Sequence, residues 1–269
     1  MAALLAGDGQ AADSLAPVLP LRATGTEPPL FCLHPASGLS WQFAGLKPFL
    51  PQDVPLYGLQ SPLFSGGELP ETISDLAATY ADAVAEVAPP GPIRLLGWSF
   101  GGTMALLVAQ ELTRRGREVG FVGMLDARTD VVEHVGFDPA AVLGGLLREM
   151  GFPVDPDARV TVEEAVALVR TSGDAIAILD DAQIAQVVEN YVAAERLTAA
   201  ADYGRYDGDV FFVDATTLEM DLTGVASEGW RDHIGGRLNV VTLDCRHSEL
   251  MDSDVLNRLG PLIADELTR

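Results

Sequence analysis

Residues Arg94–Gly116 read RLLGWSFGGTMALLVAQELTRRG, with Ser99 set between two glycines at Gly97-Trp98-Ser99-Phe100-Gly101. The form is G-x-S-x-G, and its meaning depends on what flanks it. A nucleophilic serine on a sharp strand-to-helix turn needs glycine two residues before and two after, because the backbone there passes too close for a Cβ. That reading requires a strand upstream and a helix downstream. Ile93–Leu96 is a short apolar run of strand character, and Thr103–Arg115 is a helical stretch closed by Gly116. Gly102 adds room for the helix to pack closely on the sheet. The helix is apolar on nearly every face up to Gln110-Glu111, as expected of one packed centrally.

Outward from this turn, strand and helix patterns alternate. Val18–Leu21 reads as an edge strand, Leu30–Leu33 as a buried strand, and Asp53–Leu59 as another. Thr72–Val87 carries apolar residues at helical spacing (Ile73, Leu76, Ala77, Tyr80, Val84, Val87) and ends at Pro89-Pro90-Gly91. Further strands are expected at Val119–Leu125, Asp209–Asp214 and Leu238–Asp244, with a closing amphipathic helix at Asp254–Leu267. Short apolar strands alternating with helices predict a mostly parallel central sheet with helices on both faces. The alternation breaks between about residues 129 and 206, where three helical patterns replace strands: Pro139–Met150, Thr161–Thr171 and Asp181–Leu197. A helical insertion after a strand's C-terminal end is where active-site lids are built.

Composition excludes several classes. The chain has 269 residues, 48% of them hydrophobic, enough for a sizeable core. A net charge of -22 argues against binding nucleic acid, which demands clustered Lys and Arg, and against anionic membranes. The two cysteines, Cys32 and Cys245, are far apart and form no CxxC or zinc-type spacing, so buried free thiols and no metal site are expected. The start, MAALLAGDGQAAD, lacks a basic segment and has Asp8 inside its apolar run, unlike a secretory signal. No apolar run approaches the roughly 18 residues of a membrane span. A cytoplasmic protein is the expectation, and no feature demands a stable dimer.

A serine hydroxyl needs a histidine within hydrogen-bond reach and a carboxylate to orient it. Of the four histidines, His34 precedes Ser99, His134 lies in the insertion and His233 precedes the last strand as a surface residue. His247 follows the strand Leu238–Asp244 and precedes the final helix, where the Ser, acid, His chain order expects it. Two acids end strands after the serine: Asp126 after Val122–Leu125, and Asp214 after Val210–Val213. Both would lie at the sheet's carboxyl edge, where α/β sites assemble, and the residues alone leave the choice open.

Taken jointly, Leu33-His34-Pro35-Ala36-Ser37-Gly38, Gly97-Trp98-Ser99-Phe100-Gly101-Gly102, Leu125-Asp126 and Arg246-His247 resemble the C-terminal thioesterase domains of nonribosomal peptide synthetases and related polyketide synthases. The resemblance spans about residues 17–269 and implies an α/β-hydrolase fold with a helical lid at about 129–206. It implies Ser99, Asp126 and His247 as catalytic residues, with the acid on the strand next after the nucleophile. It also implies the backbone N–H groups of Ala36 and Phe100 as oxyanion donors. Trp98 is a candidate substrate contact or packs under the turn, and His34 is a candidate substrate contact or a brace for the oxyanion loop. By the same resemblance, an acyl or peptidyl group arrives on the phosphopantetheine arm of an upstream carrier protein and leaves by hydrolysis or macrocyclisation. The domain itself then needs no metal or organic cofactor, and residues 1–16 resemble a flexible linker from the carrier domain. Trp98 and Phe100 around the serine look more like integrated releasing domains than stand-alone editing thioesterases, which remain the alternative with general serine esterases.

Overall fold

The computed structural model describes residues 14–129, 138–149, 152–155, 157–171, 175–217 and 225–269. Seven strands are formed by short apolar runs: β1 (Val18–Arg22), β2 (Leu30–Leu33), β3 (Leu56–Leu59), β4 (Ile93–Trp98), β5 (Val119–Leu125), β6 (Val210–Ala215) and β7 (Leu238–Leu243). They join in one sheet in the order β1-β3-β2-β4-β5-β6-β7, so the strand that leads into Ser99 is the central one. Only β1 runs antiparallel, on β3. Its Pro20 is tolerated because the strand is at the edge and one face of its backbone has no neighbour to pair with.

The strands are buried on both sides. Leu30 and Cys32 pack into one apolar layer while Phe31 and Leu33 pack into the opposite one, the alternation that a pleated strand imposes. One layer is closed by α1 (Ile73–Val87) and α2 (Phe100–Arg114), the other by α6 (Ser253–Leu267) and the turn at Trp41–Leu46. Between β5 and β6 lie α3 (Pro139–Glu149), α4 (Val162–Thr171) and α5 (Asp181–Ala199). These pack on one another through Leu143, Leu147, Val169, Ile184 and Val188, all buried. α5 starts on a reciprocal cap, Asp180 accepting from the Gln183 N–H and Gln183 accepting from the Asp180 N–H. The same architecture, a mostly parallel sheet layered by helices, is that of α/β-hydrolases.

The register decides where the loops emerge. Leu33 pairs with Gly97, Trp98 with Leu125, Leu125 with Val213 and Val213 with Val241. The ends of five adjacent parallel strands therefore lie in a row, and the segments carrying His34, Ser99, Asp126, Asp214 and His247 leave the sheet at one rim.

Several element bounds differ from the expected ones. β3 begins at Leu56 rather than Asp53, because Val54 closes a turn onto Pro51 and both carbonyls are taken by the Arg22 guanidinium. β4 runs on to Trp98 and α2 begins at Phe100, so Ser99 alone makes the turn. A 3-10 helix at Ala226–His233, which carries no clear periodicity, buries Trp230 completely. The expected tail at 1–16 lies outside the described residues up to residue 13. Its last part is tied down, with the Ser14 carbonyl accepting from Trp41 Nε1 at 2.7 Å and the Ala16 carbonyl from Gln60 Nε2 at 2.9 Å. His134 and Met150 are also outside the described residues. Among those described, no helix is long and apolar enough to cross a membrane.

Candidate active site

Ser99 has φ 57° and ψ -125°, a conformation that a side-chain-bearing residue adopts only when its surroundings impose it. Its N–H donates to the Leu125 carbonyl at 2.9 Å, and its own carbonyl accepts from the Gly102 N–H at 2.9 Å. The glycines are required by contact. A Cβ on Gly97 would lie 1.8 Å from the Gly101 carbonyl oxygen, and one on Gly101 would lie 2.2 Å from the Leu33 carbonyl oxygen. The hydroxyl thus stands at the sheet rim, beside the N-terminus of the 15-residue helix α2. Unpaired N–H groups and the helix dipole favour negative charge there.

Asp126 has φ 47° and is 5% exposed. Three contacts hold it. Its N–H donates to the Val213 carbonyl at 2.7 Å, its Oδ1 accepts from the Ala215 N–H at 3.1 Å, and its Oδ2 lies 2.7 Å from His247 Nδ1. A carboxylate accepts, so Nδ1 of His247 carries the hydrogen, and in the neutral ring Nε2 is the acceptor. His247 opens a one-turn 3-10 helix, His247–Glu249, whose start is fixed by the Glu249 carboxylate accepting from the N–H and guanidinium of Arg246. The imidazole lies against the indole of Trp98, the residue before Ser99 in the chain, with ring centroids 5.6 Å apart.

The competing acid is occupied. Asp214, 1% exposed, accepts from the Ser227 N–H at 2.9 Å and the Ser227 hydroxyl at 2.6 Å. The same 3-10 turn sends Trp230 Nε1 to the Ala127 carbonyl at 2.8 Å, gripping the residue after Asp126. Ser227 and Trp230 are supports that the sequence reading did not single out; the only signal for them was an isolated Trp between two strands.

His34 lies inside the protein. It is 3% exposed, and both ring nitrogens are used inside the protein: Nδ1 faces the Pro35 carbonyl at 2.6 Å and Nε2 the Tyr80 hydroxyl. Burial outweighs the bond to Pro35 and pushes its pKa down to about 4, so the ring is neutral at pH 7. Its place is behind the loop, stacked toward Phe100 at 6.1 Å between ring centroids. The loop's Ala36 and the α2 residue Phe100 are both buried, in one apolar layer. Trp98 is half-buried and packs against the apolar core. His233 is half-buried, with Nδ1 at the Gly204 carbonyl.

Cys245, two residues before His247, is a buried free thiol whose pKa is raised chiefly by burial, which keeps it protonated and weakly nucleophilic. Cys32 is fully buried and shifted the same way. Among the described residues, no group of three or more His, Cys, Asp and Glu could hold a metal ion.

The model of the Thioesterase domain family matches residues 28–263. A dimodular nonribosomal peptide synthase of Bacillus subtilis (strain 168) is 34% identical over 267 residues, 96% of this chain and 11% of that protein. Enterobactin synthase component F of Escherichia coli (strain K12) is 30% identical over 94% of this chain and 18% of its own length. The chain therefore spans less than a fifth of either relative. Among solved structures, the NocB thioesterase domain in covalent complex with a fluorophosphonate nocardicin G analog superposes with a TM-score of 0.67 at 29% identity, covering 90% of this chain and 96% of that one.

Proposed function

Since the chain belongs to the Thioesterase domain family, we propose that it releases a carrier-bound acyl or peptidyl chain through an acyl ester on Ser99. The observation that carries this reading is the 2.7 Å bond between Asp126 and His247 at the rim where Ser99 makes its strained turn.

In this reading His247 Nε2 takes the Ser99 proton as Oγ attacks the thioester carbonyl. Asp126 keeps Nδ1 protonated and stabilises the imidazolium that forms. The oxyanion accepts from the N–H groups of Ala36 and Phe100, one such donor being worth about 2.7–4 kcal/mol. Collapse of the tetrahedral intermediate breaks the C–S bond, and His247 returns the proton to the leaving thiolate. The ester on Ser99 is then attacked by water, giving an acid, or by an amine or hydroxyl of the acyl chain itself, giving a ring. His247 accepts the attacking group's proton and hands it back to Ser99.

The partner is a carrier domain bearing phosphopantetheine, joined through the segment before residue 17; one relative, a dimodular nonribosomal peptide synthase, supports this. The helices between β5 and β6 act as the lid that selects water or an internal nucleophile. The domain contributes its own side chains and no cofactor. Incubation with an acyl-N-acetylcysteamine thioester tests the reading. Thiol release should depend on Ser99, and a fluorophosphonate should add one phosphonyl group at Ser99 in the wild type and none in Ser99→Ala. Unchanged thiol release by Ser99→Ala would overturn it. Product mass separates hydrolysis from cyclisation.

A further inference from the structure

Tyr80 lies on α1, at a position that helical periodicity assigns to the core, and it is 3% exposed. Its hydroxyl nevertheless meets His34 Nε2. The direction of that bond follows from the other side of the ring. His34 Nδ1 faces the Pro35 carbonyl oxygen, which only accepts, so Nδ1 carries the hydrogen. Nε2 is then bare, and the Tyr80 O–H donates to it. The Pro35 carbonyl also accepts from the Gly38 N–H at 3.0 Å, so two donors hold this one oxygen.

The Pro35 carbonyl and the Ala36 N–H belong to the same peptide unit. That unit is planar and trans, so its C=O and N–H point in opposite directions and cannot be turned independently. Whatever holds the Pro35 oxygen aims the Ala36 N–H. We infer that Tyr80 is a positioning residue for the oxyanion donor of Ala36, acting through His34 and the Pro35–Ala36 peptide plane.

The inference deepens the catalytic reading and rests on it. Without the Tyr80 hydroxyl, only the Pro35 oxygen itself favours hydrogen on Nδ1, and Nε2 is left as a buried lone pair with no donor to hold the ring in its orientation. The other tautomer would set a lone pair against the Pro35 oxygen and push that carbonyl away. The loss appears in the transition state, where the oxyanion forms, and little in ground-state binding.

The test uses Tyr80→Phe with hexanoyl-N-acetylcysteamine as substrate and phenylboronic acid as a tetrahedral mimic on Ser99. We expect kcat to fall about 10- to 100-fold, short of the full loss of a donor. KM should stay within about twofold, and boronate affinity should fall in step with kcat. Active sites counted by exhaustive fluorophosphonate labelling correct for any misfolded fraction. His34→Asn supplies the second variant, since its amide N–H2 can reach the Pro35 oxygen without help from Tyr80. It should retain more activity than His34→Leu, and adding Tyr80→Phe to it should cost nothing further.

A kcat per labelled site that is unchanged in Tyr80→Phe would overturn the inference, as would a kcat loss without loss of boronate affinity. Equal added losses from Tyr80→Phe in the wild-type and His34→Asn backgrounds would overturn it too. Thioester cleavage that survives Ser99→Ala brings down the catalytic reading and this inference together; Ser99-dependent cleavage that ignores Tyr80 brings down only this one.

Discussion

His247 Nδ1 and Asp126 Oδ2 are 2.7 Å apart, although 121 residues separate them in the chain. The bond forces the imidazole to keep its hydrogen on Nδ1 and its lone pair on Nε2. Asp126→Asn reverses this, because an amide nitrogen facing Nδ1 donates rather than accepts. We predict a fall in kcat/KM of about 10³–10⁴-fold with the fold intact. Thioester turnover, together with an unchanged circular dichroism spectrum, checks it; a loss under tenfold would contradict the assignment.

Asp214 should behave differently, although it ends the neighbouring strand. Its carboxylate is satisfied by Ser227, so Ser227→Ala removes one charge-assisted bond from a buried group. A stability loss of about 1–3 kcal/mol is expected, with turnover within about threefold of wild type. Urea denaturation and the thioester assay separate the two effects. A turnover loss matching that of Asp126→Asn would mean that Asp214 works at the site directly.

The turn tolerates no side chain at Gly97, where a Cβ would meet the Gly101 carbonyl at 1.8 Å. The backbone must move to admit one, so Gly97→Ala should cost about 3 kcal/mol and lower the urea midpoint accordingly. Activity per folded molecule should fall as well, because the displaced segment carries the Phe100 N–H. A midpoint indistinguishable from wild type would show that the turn is looser than these contacts require.

His34 links pH to stability. Burial holds its pKa near 4 in the folded chain, against 6.5 for the unperturbed group. The unfolded chain therefore binds the extra proton first as pH falls. This group leaves stability intact above about pH 6.5, drains it progressively toward pH 4, and adds no further loss below that. The total is about 3 kcal/mol. Urea titrations of wild type and His34→Asn from pH 7 to 4 should differ in slope by this amount; parallel slopes would exclude it.

Much of the site was legible along the chain because its causes are local. Gly97, Gly101 and the apolar runs around Ser99 state the steric terms of one turn within a few residues. His247 is the candidate that elimination among four histidines and chain order leave, and the structure sets it against Asp126. The helical stretches between β5 and β6 were evident from spacing, although the 3-10 turn at Ala226–His233 was not, since short irregular helices carry no period. The boundary of α2 was placed too late because glycines 101 and 102, poor helix formers, sit in its first turn for close packing.

By itself, then, the sequence determined the alternation that builds a parallel sheet and the glycine-flanked turn, both written in short-range periodicity and sterics. The residues alone could not choose between Asp126 and Asp214, and only the resemblance favoured Asp126; tertiary structure gave Ser227 to one carboxylate and His247 to the other. It likewise placed Tyr80 against His34, 46 residues away, a pairing that nothing local to either residue records. The physical reason is that a hydrogen-bonding group's role depends on which partner fills its lone pairs, and those partners come from distant segments that no local pattern records.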